Sequence, residues 1–162
     1  MDWPAYSYTL LQEAVKLYWP AVTYNLLVYY TWLWNYKSNI PLDFNIKVKG
    51  VRLIGDSRGA AGLILSVIIG VFGAAITGSY LPFYAAVGAE TGTITESFIK
   101  RRLGFKRGQH LIFLDEWDSI LGATIFLMLA TTVRTDVFIF TLVATFIGHN
   151  LFNKLIRPKM GE

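Results

Sequence analysis

The chain has 162 residues, 54% of them hydrophobic and 15% aromatic, and only 16% charged. A soluble domain of this length carries about 25% charged residues, and the shortfall is local, because long stretches are almost free of charge. That pattern points to a polytopic membrane protein and excludes an ordinary soluble core. Cysteine is absent, which excludes disulfides and thiolate metal sites. The formal net charge is +4. The basic residues collect in the links between apolar segments, which suits membrane orientation and anionic ligands and argues against nucleic acid. No repeat or low-complexity segment interrupts the chain, so residues 1–162 read as a single membrane-embedded domain.

In chain order, residues 1–16 lack a basic stretch and a small-residue cleavage site, so they do not read as a signal peptide. Trp3, Tyr6 and Tyr8 look like interfacial aromatics. The first span is expected over 17–34, with Pro20 near its start or kinking it. Asn25 is its one strongly polar interior residue, and an interhelical hydrogen bond is the plain reading. Residues 37–58 form a first polar link. The alternation from Phe44 to Lys49 suits a short strand or an extended loop. Gly55-Asp56-Ser57-Arg58-Gly59 is a turn into the next helix. Its backbone N–H groups and Arg58 suit a phosphate. Ordinary N-capping by Asp56 or Ser57 explains the turn equally well.

The second span is expected over 60–78, where Gly62, Ser66 and Gly70 make a small face for close helix packing. After a tight uncharged turn comes a third span over 83–99. On a helix, Glu90, Thr93, Ser97 and Arg101 share a sector of about 80°. Glu90 lies mid-span, where an ionised side chain costs about 2.5 kcal/mol or more. Such a residue faces a polar cavity, binds something, or is protonated and hydrogen-bonded. A second basic link, with Lys100, Arg101, Arg102, Lys106 and Arg107, closes on the carboxylates Asp115 and Asp118. Basic groups suit phosphates, and two carboxylates three residues apart suit a hard cation between phosphates. A helix N-terminus that merely favours acidic residues is the plain alternative. The fourth and fifth spans are expected over 119–133 and 137–155.

Thirteen of the fifteen Lys and Arg residues fall in the two long links and the C-terminal tail. The expectation is an all-α integral membrane protein with five transmembrane helices. Its N-terminus lies outside, its C-terminus is cytoplasmic, and both polar links are cytoplasmic.

From Ser97 onward the chain resembles the phosphatidate cytidylyltransferase signature, matching it at Ser97, Ile99, Lys100, Arg101, Lys106, Asp115 and Asp118. The run Ser97 to Gly108 and the Leu114 to Asp118 pair resemble the archaeal CDP-archaeol synthase branch of that family. So do Pro20-Ala21 with Asn25, Pro41-Leu42-Asp43 and Arg52-Leu53 with Gly55-Asp56. Where the branch carries Gly-Asp before the Ser, this chain has Gly92-Thr93. The resemblance implies transfer of CMP from CTP to an unsaturated archaeal ether-lipid phosphate, with Mg²⁺ as cofactor, at the cytoplasmic side of the cell membrane. It implies catalytic roles for Asp115, Asp118 and Lys100, and nucleotide binding by Ser97, Lys100, Arg101, Arg58, Asp56 and Ser57. It implies lipid-phosphate contacts for Asn25, Asp43, Lys106 and Arg107, and metal binding by Asp115 and Asp118. Glu90 would replace the Asp missing at Thr93. The oligomeric state stays open, with a homodimer allowed. Two other readings are a small transporter with an ion path through Glu90, and a CDP-alcohol phosphotransferase. The second lacks its Asp-Gly signature here.

Overall fold

The computed structural model describes residues 3–34, 40–55, 58–105, 109, 111 and 114–156. It is a helical bundle of α1 (Trp3–Trp34), α2 (Ala60–Thr77), α3 (Leu81–Arg102), α4 (Leu114–Leu127) and α5 (Thr135–Ile156). A two-stranded hairpin, β1 (Lys47–Val48) and β2 (Val51–Arg52), lies in the first link. Lys47 pairs with Arg52 and Val48 with Val51. Lys49 and Gly50 make the turn with φ of 53° and 79°. Positive φ at both central residues matches the twist of a tight hairpin. The short-strand reading of this link therefore holds for two residues on each side.

Helix extents depart from the expected spans. α1 begins at Trp3 and carries Pro20 in its interior, fully buried, rather than near its start. Its 32 residues give a length of about 48 Å, well beyond a hydrocarbon core of about 30 Å. α4 begins at Leu114 and ends at Leu127, so it lies earlier and is shorter than expected. Asp115 and Glu116 open its first turn, where the helix dipole favours acidic side chains. The apolar residues up to Val133 read as part of this span, but the chain turns after Leu127. By length and composition, α2 meets the criterion for a bilayer span, with 18 residues at mean hydropathy 2.3. It is alone in this among the described residues, and the apolar stretch of α5 covers Thr135–Leu151.

α3 packs against α1, α2 and α4, and α5 packs against α1 and α4. Small residues set the α3–α4 separation. A Cβ on Gly88 would come within 2.6 Å of the Gly122 carbonyl oxygen. One on Gly92 would overlap the Asp118 carbonyl, and one on Gly122 would overlap Gly88 and Gly92. Ala85, Ala86, Ala89 and Ala123 continue this tight seam, and Tyr18, Tyr24, Ile120 and Leu127 fill the space around it. Small residues that let backbones approach are what helix pairing in lipid requires. The outward faces remain apolar: Ile64, Ile68, Phe72 and Ile76 on α2, and Ile139, Val143, Ile147 and Leu151 on α5. Faces of this extent are uncommon on soluble monomers.

The polar residues gather at the two ends. At one end Arg134 pairs with Glu13 and Asp136, and the Tyr6 hydroxyl donates to Asp136 at 2.6 Å, clasping α1 to the start of α5. At the other end the first link folds over the C-terminus of α3. Arg102 donates to the carbonyls of Arg52 and Val51 at 2.8 and 3.4 Å, and its guanidinium lies over the Phe98 ring.

Candidate active site

The first link is shaped around Asp43, which is 3% exposed. Its carboxylate pairs with Arg52 and accepts backbone N–H groups from Asn45, Ile54 and Gly55. Burial would push this carboxyl up. The Arg52 guanidinium and the three backbone donors outweigh that and hold it well below the usual carboxylate range. Gly55 follows with φ of 97°, and a side chain there would press on the Arg101 guanidinium, with Nε at 2.9 Å. Arg101 itself donates to the Phe105 carbonyl at 2.5 Å. The link is thus a fixed structure seated on α3, and it delivers Arg58 to the same surface.

Three residues of the last turns of α3, Glu96, Ser97 and Lys100, meet Arg58 and α4. Arg58 Nε donates to Ser97 Oγ at 3.0 Å, and Arg58 Nη2 lies 3.7 Å from Glu96 Oε2. Ser97 donates to Glu96 Oε2 at 3.2 Å. Lys100 sits one turn below Glu96 and binds its Oε1 at 2.5 Å. Lys100 also pairs with Asp115 of α4. Glu96 and Lys100 are both buried, at 5% and 8% exposure. Charges this buried survive only when paired and hydrogen-bonded, and here each has a partner of opposite sign.

Deeper in the bundle, Glu90 accepts from the Tyr24 hydroxyl of α1 and from Thr93 Oγ1 at 3.2 Å. Gly62 of α2 makes the room, since a Cβ there would sit 2.8 Å from Glu90 Oε1. Asp118 is within electrostatic range of Arg58, Glu96, Asp115 and Glu90. One of its oxygens accepts the Ser119 backbone N–H at 2.6 Å. Ser119 Oγ in turn accepts from Asn25 of α1 at 2.6 Å.

The structure therefore brings Arg58, Ser97, Lys100, Asp115 and Asp118 to one junction of the first link, α3 and α4. Glu90 lies inward of them, engaged with α1. Asn25 is tied to α4, as an interhelical bond would have it. Asp43 is saturated by its own link. Asp56, Ser57, Lys106 and Arg107 lie outside the described residues. Glu96 went unread in the sequence, although its placement four residues before Lys100 was a visible signal. Tyr24 gave no signal, because an aromatic in a first span is unremarkable. Among the described residues, no group of three His, Cys, Asp or Glu side chains is arranged to hold a metal ion. Asp115 and Asp118, one turn apart beside Lys100 and Arg58, fit a cation that takes its remaining ligands from a substrate.

Residues 72–161 match the family model described as CarS-like: CDP-archaeol synthase. A CDP-archaeol synthase of Sulfurisphaera tokodaii is 34% identical over 128 residues, covering 74% of this chain and 77% of that protein. One from Sulfolobus acidocaldarius is 39% identical over 100 residues, covering 57% of this chain. That match spans 61% of the relative's length. A solved structure described as an intramembrane enzyme for archaeal membrane lipids biosynthesis superposes with a TM-score of 0.72 at 30% identity. It covers 88% of this chain and 93% of its own. The tight α3–α4 seam and the junction's residues on α3 and α4 fall inside residues 72–161, and the chain belongs to the CarS-like, CDP-archaeol synthase family.

Proposed function

We propose that this protein transfers CMP from CTP to an unsaturated archaeal ether-lipid phosphate, 2,3-bis-O-geranylgeranyl-sn-glycerol 1-phosphate, giving CDP-archaeol and pyrophosphate. The observation that carries the reading is the convergence of Arg58, Ser97, Lys100 and Asp115 where the first link, α3 and α4 meet. Such a reaction joins two polyanions, so the protein must hold them in line and offset their repulsion. A lipid phosphate oxygen attacks the α-phosphorus of CTP. The new P–O bond forms as the bond to the bridging β-phosphate oxygen breaks, and pyrophosphate leaves with that electron pair. The attacking group is already an anion, so no general base is needed.

Lys100 and Arg58 offer their charge to the triphosphate, and Ser97 orients Arg58. Arg101, Asp56 and Ser57 complete the nucleotide side. Asn25, Lys106 and Arg107 serve the lipid phosphate, and Asp43 acts through the link it shapes. Asp115 and Asp118 would hold Mg²⁺, joined by Glu90 when it releases Tyr24. Bound there, the ion would neutralise triphosphate oxygens as the leaving group departs. The bundle spans the membrane five times with its N-terminus outside. Both polar links face the cytoplasm, as the distribution of Lys and Arg favours. The apolar outer faces of α2 and α5 support the membrane setting.

The test is an assay of the purified protein in detergent with CTP labelled at the α-phosphate, the lipid phosphate and Mg²⁺. Label should move into the lipid fraction as one pyrophosphate is released per turnover. Label that stays in the aqueous phase with folded protein would reject the proposal.

A further inference from the structure

We propose that Glu96 is a positioning residue: its carboxylate holds Lys100 and Arg58 together, so that cations from two separate chain segments form one triphosphate site. The inference rests on the cytidylyltransferase reading. Arg58 arrives on the first link and Lys100 on the last turn of α3. Glu96 lies between them, with Oε1 at 2.5 Å from Lys100 Nζ and Oε2 at 3.7 Å from Arg58 Nη2. Ser97 closes a ring, accepting from Arg58 Nε at 3.0 Å and donating to Glu96 Oε2 at 3.2 Å.

Three features separate this arrangement from an ordinary helix pair. An exposed pair four residues apart contributes little, but Glu96 is only 5% exposed. Both of its oxygens are engaged with groups the nucleotide needs. Lys100 is also braced from the opposite side by Asp115 of α4. A lysine is a point charge on a flexible stem, and two carboxylates from two helices fix where that charge sits. Without Glu96, Lys100 would follow Asp115 toward α4, and Arg58 would keep its bond to Ser97 and its attraction to Asp118. The two cations would still be present, but no longer at one spacing.

The experiment measures binding of a non-transferable CTP analogue, with a methylene between the α- and β-phosphates, by calorimetry with Mg²⁺ present. The full-length proteins compared are wild type, Glu96→Gln, Arg58→Gln and the double variant. Glu96→Gln keeps the volume and loses the charge. It should weaken binding about ten- to a hundredfold, the range for charge-assisted bonds, at a nearly unchanged melting temperature. Because Glu96 acts through Arg58 and Lys100, the double variant should bind no more than about threefold worse than the weaker single. Unchanged affinity in Glu96→Gln, or additive losses in the double variant, would overturn the inference. Should Glu96→Gln fail to fold, Glu96→Asp carries the test. It keeps the charge but shortens the arm, and it should raise KM for CTP more than it lowers kcat. An unchanged KM overturns the inference. Folded wild type that binds no analogue would instead defeat the cytidylyltransferase reading itself.

Discussion

Lys100 is where two halves of the chain meet, with Glu96 of its own helix on one side and Asp115 of α4 on the other. Arg102, two residues on, serves the fold instead, bonding the hairpin carbonyls and lying over Phe98. Lys100→Gln should therefore raise the CTP concentration for half-maximal rate about ten- to a hundredfold, and Arg102→Gln less than about threefold. Steady-state kinetics of CDP-lipid formation at varied CTP checks the pair. Equal, mild effects from both would mean that the basic run only anchors the helix in anionic lipid. Much of this junction was legible in sequence, because Ser97 and Lys100 lie three apart where a basic run begins and Asp115 and Asp118 lie three apart after it. Glu96 was missed: its spacing to Lys100 shows a helix pair, but its reach to Arg58 is a long-range contact that only the fold supplies. Asp43 had invited a ligand role, yet its buried carboxylate is saturated by backbone donors that only the folded link supplies.

At the scale of the elements, the number and order of helices followed from the apolar runs, whereas their ends did not. Hydropathy cannot report that α1 continues through Pro20 or that α4 starts at Leu114, because both depend on neighbouring helices. The α3–α4 seam is the element on which the carboxylate pair depends. Gly92→Ala would drive a methyl group into the Asp118 carbonyl. Overpacking of this kind costs about 1–3 kcal/mol. It should lower the melting temperature in detergent and reduce turnover together, because α4 and Asp118 must move away from α3. The clasp at the far end should affect stability alone. Bonds from Tyr6 and Arg134 hold Asp136 down to about 2, against an ordinary 3.8. A depressed carboxyl stabilises the fold above its ordinary value and loses that contribution as pH falls through the folded value. Melting temperature should thus drop as pH falls from about 4 to about 2, and Asp136→Asn should show a smaller drop across that window.

For the whole molecule, the account requires both polar links on one side of the bilayer. The chain has no cysteine, so single cysteines can be placed on a clean background. Cysteines at Gln109 and Ser38 should be labelled by an impermeant thiol reagent only after the cells are opened. Labelling of either in intact cells would overturn the five-span arrangement. The bundle architecture was legible because five apolar runs are separated by two charged links and two short turns. What those links build was not, since a hairpin, a buried Asp43 and the seating of Arg58 on Ser97 are long-range events. The account stands or falls on whether chemistry occurs where the links meet. The most direct measurement is CDP-lipid formation by Asp115→Asn and Asp118→Asn at saturating Mg²⁺, with folding checked by melting temperature. The account predicts folded proteins whose turnover falls at least about a hundredfold, the scale of lost transition-state charge stabilisation. Near-normal turnover in Asp115→Asn would contradict it and leave the pair as the cap of a helix.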